Sequence, residues 1–371
     1  MLTEELNPPR RLVDAQRATA AAGLDALLIT PGADLRYLTG YHAHEFERLT
    51  CLVLPAEGEP TLIVPRLERP AAEASPAPGI GVHLRDHADG TDPYPLVRAA
   101  LGGDVTRVGL ANRMWAEHVL ALRDALPKVE QRLAGHVLGQ LRMRKSPAEV
   151  AALREAGAAI DAVHARMREW LRPGRTEAEV GADIARAIRE VGHATVDFVI
   201  VASGPNAASP HHETSGRRIE AGDPVVVDIG GTMPSGYCSD STRTYVAAGS
   251  VSGDFAEYYA VLAEAQRAAI AAVRPGVAAE SVDAAARDPI ARAGYGAAFL
   301  HRTGHGIGLD GHEEPYIVAG NALPLEPGMA FSIEPGIYLA GRHGARIEDI
   351  VVCTGDGVER LNTLSTELRQ L

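Results

Sequence analysis

The stretch Gly222-Asp223-Pro224-Val225-Val226-Val227-Asp228-Ile229-Gly230 returns 106 residues later as Gly328-Met329-Ala330-Phe331-Ser332-Ile333-Glu334-Pro335-Gly336, which sets Asp228 on Glu334. Each acid closes an apolar run with the composition of a buried strand. Asp240, in Ser239-Asp240-Ser241-Thr242-Arg243-Thr244, comes 12 residues after the first acid, and Glu348, in Arg346-Ile347-Glu348-Asp349, comes 14 after the second. Both segments also read as strand. Four carboxylates matched in pairs across an internal repeat point to a site for two metal ions.

An acid just past a buried strand is, by itself, more often a turn former or a helix cap. The helices before these acids repeat as well, however. Leu171-Arg172-Pro173-Gly174 returns as Val273-Arg274-Pro275-Gly276, and Gly192 returns as Gly294, both at an offset of 102. A duplicated unit explains this economically. Ser146-Pro147-Ala148-Glu149 carries the N-cap hydroxyl, first-turn proline and acid of a capping box, and Thr176-Glu177-Ala178-Glu179 repeats the hydroxyl and acid. The pattern predicts a helix over 147–171, a second ending near 191 with Gly192 at its C-cap, and counterparts over 254–273 and 279–293. Strands follow each helix pair across Pro/Gly turns. The expected architecture is an α+β domain in which helices cover a curved, mostly antiparallel sheet, with the acids on its open face.

His301-Arg302-Thr303-Gly304-His305-Gly306-Ile307-Gly308-Leu309-Asp310-Gly311-His312-Glu313-Glu314-Pro315 gathers three histidines among glycines. No Gly-x-Gly-x-x-Gly turn with an acid about 20 residues on accompanies it, so it does not read as a dinucleotide loop. A lone histidine is more often a surface or satisfied core residue. Glycines around His305 leave room for a metal, which makes it the fifth candidate ligand.

In these ordered motifs the chain from Arg142 to Leu371 resembles the pita-bread metallopeptidase family of prolidase, aminopeptidase P, methionine aminopeptidase and the metal-free creatinases. Ile333-Glu334-Pro335-Gly336-Ile337-Tyr338 and Arg346-Ile347-Glu348-Asp349, with a separate N-terminal domain ahead of them, look most like the Xaa-Pro peptidase branch. The resemblance implies that Asp228, Asp240, His305, Glu334 and Glu348 bind two divalent cations. It places His211, His301, His312, Tyr338 and Arg346 around them. His211 follows Pro210 in a polar loop, where an idle histidine is the bland reading, but the position matches the family's substrate-facing histidine. Arg346, two residues from Glu348, shares that acid's strand face.

The implied reaction is hydrolysis of the Xaa-Pro bond of dipeptides by a metal-bridging hydroxide, as in prolidase. Glu334 would take the proton from water, and His312 or His211 would donate to the oxyanion. Oxygen-rich ligation with one imidazole favours Mn²⁺ and accommodates Co²⁺ or Zn²⁺. One alternative is aminopeptidase P activity on longer peptides. A second is a non-catalytic peptide-binding protein of the same fold, which five intact ligands disfavour.

The chain departs from the prolidase pattern in one respect. Prolidases commonly carry an arginine between the equivalents of His312 and Glu334 that holds the substrate carboxylate, and this chain has no Arg or Lys there. Arg48, in Tyr41-His42-Ala43-His44-Glu45-Phe46-Glu47-Arg48, is the expected replacement, with Arg36 second and Tyr316 a further candidate substrate contact.

A length of 371 residues exceeds what one core usually supports. Two domains are expected: an α/β domain over 1–135, which with Asp34-Leu35-Arg36-Tyr37-Leu38-Thr39-Gly40 resembles the creatinase-like N-terminal domain of the Xaa-Pro peptidases, and the catalytic domain over 146–371. In the first, strands are predicted over 26–30, 51–54 and 61–64 and helices over 9–22 and 114–126. Trp115 and Trp170 are expected in the core or at a domain contact. Cys51, Cys238 and Cys353 are odd in number and scattered, so they read as small apolar residues and not as a disulfide or zinc framework. A formal charge of −12 with dispersed Lys and Arg argues against nucleic acid. No stretch is long enough to span a bilayer, and Met1-Leu2-Thr3-Glu4-Glu5 opens acidic where a secretory signal opens basic. A soluble cytoplasmic homodimer acting on short proline-containing peptides is expected.

Overall fold

The duplicated stretches form strands in a computed structural model of the chain, which describes residues 6–7 and 9–371. The acidic opening, Met1 to Glu5, lies outside the described residues. The chain divides into two compact units at Arg142/Met143.

The first unit is built on a six-stranded sheet. Its strands are β1 (Ala26–Ile29), β2 (Cys51–Pro55), β3 (Thr61–Pro65), β4 (His83–His87), β5 (Arg107–Leu110) and β6 (Glu130–Leu133), in spatial order β4-β3-β2-β1-β5-β6. The β1–β2 and β2–β3 pairs are antiparallel and the rest parallel. The predicted strands are β1 to β3 in the middle of the sheet, where continuous apolar runs are buried on both faces. The two edge strands read His-Leu-Arg-Asp-His and Glu-Gln-Arg-Leu, polar sequences that carry no burial signal and suit a sheet edge. The helices Arg10–Ala21 and Ala116–Ala125 occupy their predicted segments. A further helix, Ala33–Thr39, covers Arg36 and stops at Gly40, whose φ of 69° only glycine adopts without strain. Trp115 departs from expectation. It stands 42% exposed and stacks on His118, because it caps a surface helix and does not point into the sheet.

The second unit contains the repeat. Both capping boxes form: Glu149 Oε2 accepts from Ser146 N at 2.9 Å, and Glu179 Oε2 from Thr176 N at 2.9 Å. They start the helices Pro147–Ala165 and Glu177–Glu190. The first helix stops short of residue 171, and a tighter turn over Met167–Glu169 folds Trp170 and Leu171 into the core. β7 (Thr195–Ser203), β8 (Pro224–Thr232) and β9 (Cys238–Val246) then form a four-stranded sheet with β17 (Arg369–Gln370), in order β17-β9-β8-β7.

In the second half the helices Gly253–Ala272 and Ala279–Arg292 precede β10 (Gly304–Gly306), β11 (Glu313–Ile317), β12 (Ala330–Ile333), β13 (Gly336–Leu339), β14 (His343–Arg346), β15 (Asp349–Cys353) and β16 (Val358–Arg360). These make a sheet of order β11-β10-β12-β15-β16 and a separate β13–β14 ladder. Each half has its own apolar core.

The halves differ at the acids. β8 and β9 are unbroken nine-residue strands, whereas their counterparts are interrupted. Pro335 has no N–H for the ladder, so the strand divides into β12 and β13, and Glu334 stands in the gap. Glu348 stands in the matching gap between β14 and β15, not within a strand. Its N–H is taken up across the seam by Thr242 O at 3.1 Å. Arg243 crosses the same seam, donating to Glu348 O at 2.6 Å and pairing with Asp349 at 2.7 Å.

Among the described residues no helix is long and apolar enough to cross a membrane. All three cysteines are free and buried, at the ends of β2, β9 and β15.

Candidate metal centre

Register puts the first two acids together. In the antiparallel β8–β9 pair Asp228 faces Thr242 and Gly230 faces Asp240. Side chains alternate across a strand, so Asp228, Asp240 and Thr242 project from one face. Gly230 is required between them, because a Cβ there would run into the Phe198 ring and Ser239 O.

Glu348 and Glu334 approach that face from the second half. Three ligand atoms from Asp228, Asp240 and Glu348 lie within 4.8 Å of one another, as do three from His305, Glu334 and Glu348. Glu348 belongs to both groups. A further group joins Asp240, His305 and His312. Asp228 Oδ1 and Glu348 Oε1 are buried with no hydrogen-bond partner among the described residues. Burial drives the pKa of Asp240 well above the carboxylate range, and the charges of Glu348, Asp228 and Glu334 add to the effect. Burial, Glu334 and Asp228 do the same to Glu348, and burial raises Glu334. Asp240, Glu334 and Glu348, crowded and buried together, resist ionising side by side unless positive charge joins them. Orphaned carboxylate oxygens and mutual repulsion are what a site for divalent cations shows in their absence, so the residues fit such ions.

His305 joins the groups that could hold a metal ion. Its Nδ1 donates to Gly306 O at 3.1 Å, which leaves the Nε2 lone pair facing Glu334 Oε1 at 3.2 Å and Asp240 Oδ2 at 3.7 Å. Burial lowers its pKa to about 4, so the ring is neutral, as a ligand must be. The flanking glycines act differently from the expectation. They do not clear space for a metal; they let β10 pack between neighbours, since a Cβ on Gly304 or Gly306 would collide with the backbone of Ser332 or Glu314.

The other histidines surround this set. The His312 ring lies 3.8 Å from that of His305, and burial, then the neighbouring His305 and Arg302, lower its pKa to about 4. Beside it Glu313 pairs with the buried Lys145 at 2.5 Å. His301 donates from Nδ1 to Arg302 O at 2.7 Å, and burial keeps it neutral, so its Nε2 accepts from the Tyr338 hydroxyl at 2.8 Å. Tyr338 accepts in turn from Arg346 Nη1 at 2.8 Å, while Arg346 Nη2 holds Asp228 Oδ2 at 2.5 Å. Burial works against the arginine's charge, but Tyr338, Asp228 and Glu334 outweigh it and hold the guanidinium charged.

The loop that carries His211 is fixed at two points. Arg346 Nη1 donates to Pro210 O at 3.1 Å, and the fully buried Glu177 takes up the rest of the loop. Glu177 Oε1 accepts from Ser203 N, Ser203 Oγ and Asn206 Nδ2 at 2.8, 2.7 and 3.0 Å; Oε2 accepts from Ser215 N, Ser215 Oγ and His212 Nε2 at 3.1, 2.6 and 2.8 Å. Burial raises its pKa, but the bonds from Ser215, Ser203 and His212 prevail and hold it at about 2. Sequence reading took Glu177 only as the first residue of a capped helix.

The predicted ligands, with His211, His301, His312 and Arg346, line one cavity of about 320 Å³; Tyr338 lies behind them. Arg302, passed over in sequence although it lies between two singled-out residues, lines it too. Tyr316 on β11 pairs with His305 in the ladder and carries the Arg302 guanidinium over its ring at 4.3 Å. Arg36 and Arg48 belong to the first unit, where Arg48 is bonded to Asp89 and Glu47, each at 2.9 Å.

Residues 151–355 match the model of metallopeptidase family M24, and residues 11–144 match the creatinase/prolidase N-terminal domain. A probable dipeptidase PepE from Mycobacterium tuberculosis is 59% identical over 359 residues, 97% of this chain and 95% of that protein. The crystal structure of dipeptidase PepE from Mycobacterium ulcerans matches with a TM-score of 0.93 and 60% identity over 97% of both chains. A recombinant prolidase from Thermococcus sibiricus matches with a TM-score of 0.91 and 38% identity over 98% of both.

Proposed function

The chain belongs to metallopeptidase family M24, with a creatinase-type N-terminal domain, and from that membership we propose that it is a dinuclear-metal dipeptidase cleaving the Xaa-Pro bond. The observation that carries the reading is the sharing of Glu348 by two three-ligand groups, one with Asp228 and Asp240, the other with His305 and Glu334. Asp228, Asp240, His305, Glu334 and Glu348 would hold two divalent cations, which would supply Lewis acidity toward a scissile carbonyl and a water. Carboxylates with one imidazole favour manganese, with cobalt or zinc accommodated.

The protein's own groups do the rest. Glu334, at the cavity wall, accepts the proton of the attacking water and delivers it to the leaving nitrogen. His312 and His211 offer N–H groups to the carbonyl oxygen as negative charge develops on it. Arg346 holds Asp228 in place and, through Tyr338, orients His301. A cavity of about 320 Å³ is at the small end for ligand sites, which suits a dipeptide.

The test is turnover of Xaa-Pro dipeptides against Xaa-Pro tripeptides with Mn²⁺ restored after chelation. Faster dipeptide cleavage supports the reading. Faster tripeptide cleavage assigns aminopeptidase P activity instead, and no cleavage of either leaves a binding protein.

A further inference from the structure

Two guanidinium groups line the cavity, and they are not equivalent. Arg346 is fully engaged: Nε donates to Thr242 Oγ1 at 3.1 Å, Nη1 to Pro210 O and the Tyr338 hydroxyl, and Nη2 to Asp228. Arg302 has no hydrogen-bond or ion-pair partner for its guanidinium among the described residues. Its guanidinium lies over the ring of Tyr316, with Cζ 4.3 Å from the centroid. A cation stacked on an aromatic face keeps its N–H edge free while its rotamer is restrained, which is the preparation a bidentate carboxylate contact requires.

The opposite wall presents the carboxylates of Asp228, Asp240, Glu334 and Glu348, which by themselves repel another carboxylate. Arg302 is the cavity's free positive charge. It also stands where the chain needs one, because no Arg or Lys lies between His312 and Glu334. Tyr316, within that stretch, supplies the platform and so makes the stacked pair a two-residue unit spanning β10's approach and β11.

We infer that Arg302, held on Tyr316, binds the free carboxylate of the substrate and so selects peptides that end one residue after the scissile bond. The inference rests on the Xaa-Pro dipeptidase reading and moves the carboxylate contact from Arg48 to Arg302. Charge-assisted bidentate bonds are the strong class, and replacing the guanidinium by an uncharged chain of similar length removes both at once.

The test measures binding and turnover separately on the manganese-loaded enzyme. Binding is followed by calorimetry with an Xaa-Pro dipeptide whose scissile bond is reduced to an amine, and with its C-terminal amide; turnover uses the ordinary dipeptide. The parent is expected to bind the acid at least about 10-fold more tightly than the amide, and Arg302→Met to abolish that preference. Arg302→Lys should restore part of it, and Tyr316→Ala should weaken it several-fold. Metal content should match the parent throughout. A parent without acid preference, a preference that survives Arg302→Met, or one that disappears in Arg48→Ala alone overturns the inference. Acid preference lost in Arg302→Met without turnover of any dipeptide would uphold Arg302 as the carboxylate site and sink the hydrolytic reading.

Discussion

His212 donates from Nε2 to Glu177 Oε2 at 2.8 Å, and its chain neighbour His211 lines the metal cavity. One buried carboxylate therefore anchors the loop on which a candidate oxyanion donor sits. Oε1 of Glu177 already accepts three bonds and Oε2 four, so an amide in its place would turn an NH₂ group toward existing donors. Glu177→Gln should lower stability by about 2 to 4 kcal/mol and kcat by roughly 10-fold or more, while both metals stay bound. Elemental analysis beside steady-state kinetics checks it; unchanged kcat would show that the loop holds His211 without this anchor.

Chelation should abolish activity, and divalent cation should restore it. Asp240→Ala and Glu348→Ala remove proposed ligands and should each lose at least about 10³-fold in kcat/KM, on the order of 4 kcal/mol of transition-state stabilisation. Glu348→Ala should also lower the metal content, because its side chain belongs to both three-ligand groups. Turnover by metal-free protein would refute the dinuclear reading.

His211→Ala and His312→Ala should keep two metals and lose kcat. His312 is the sharper case, since it also falls within 4.8 Å of Asp240 and His305 ligand atoms. One metal missing from His312→Ala would make that residue a ligand.

His164 gives the fold a pH dependence apart from the site. It is fully buried between the Tyr245 hydroxyl at 2.9 Å and Ser241 O at 3.1 Å, and burial, with Arg243 adding, lowers its pKa to about 3 from 6.5. The ring folds neutral, so the unfolded chain binds the extra proton below pH 6.5 and stability falls as pH drops from there toward 3. The loss reaches about 2 kcal/mol by pH 5. Thermal melts of parent and His164→Gln across this range should show a shallower decline in the variant; parallel declines would assign the acid sensitivity to other groups.

The repeat made much of this legible. Continuous apolar runs and the matched acids identified β8, β12 and the residues that reach the cavity, because strands buried on both faces write their pattern that way. Edge strands β4 and β6 escaped, since half-exposed polar sequence carries no such pattern. Glu177 escaped for a different reason: its partners lie 26 to 38 residues away, and no local spacing encodes a reach of that kind. Arg302 stood inside a quoted motif but had no meaning there until the Tyr316 ring was found beneath it.

Each half of the repeat closes around its own apolar core, and the acids of the two halves meet beside the Thr242–Glu348 seam. A bound ion is thus a fastener as well as a reagent: it draws together side chains that would otherwise push the halves apart by like charge. Losing the ions loosens a joint, so the metal-depleted protein should breathe along the Thr242–Glu348 seam and expose the connection near residue 250 to proteases that the loaded enzyme resists.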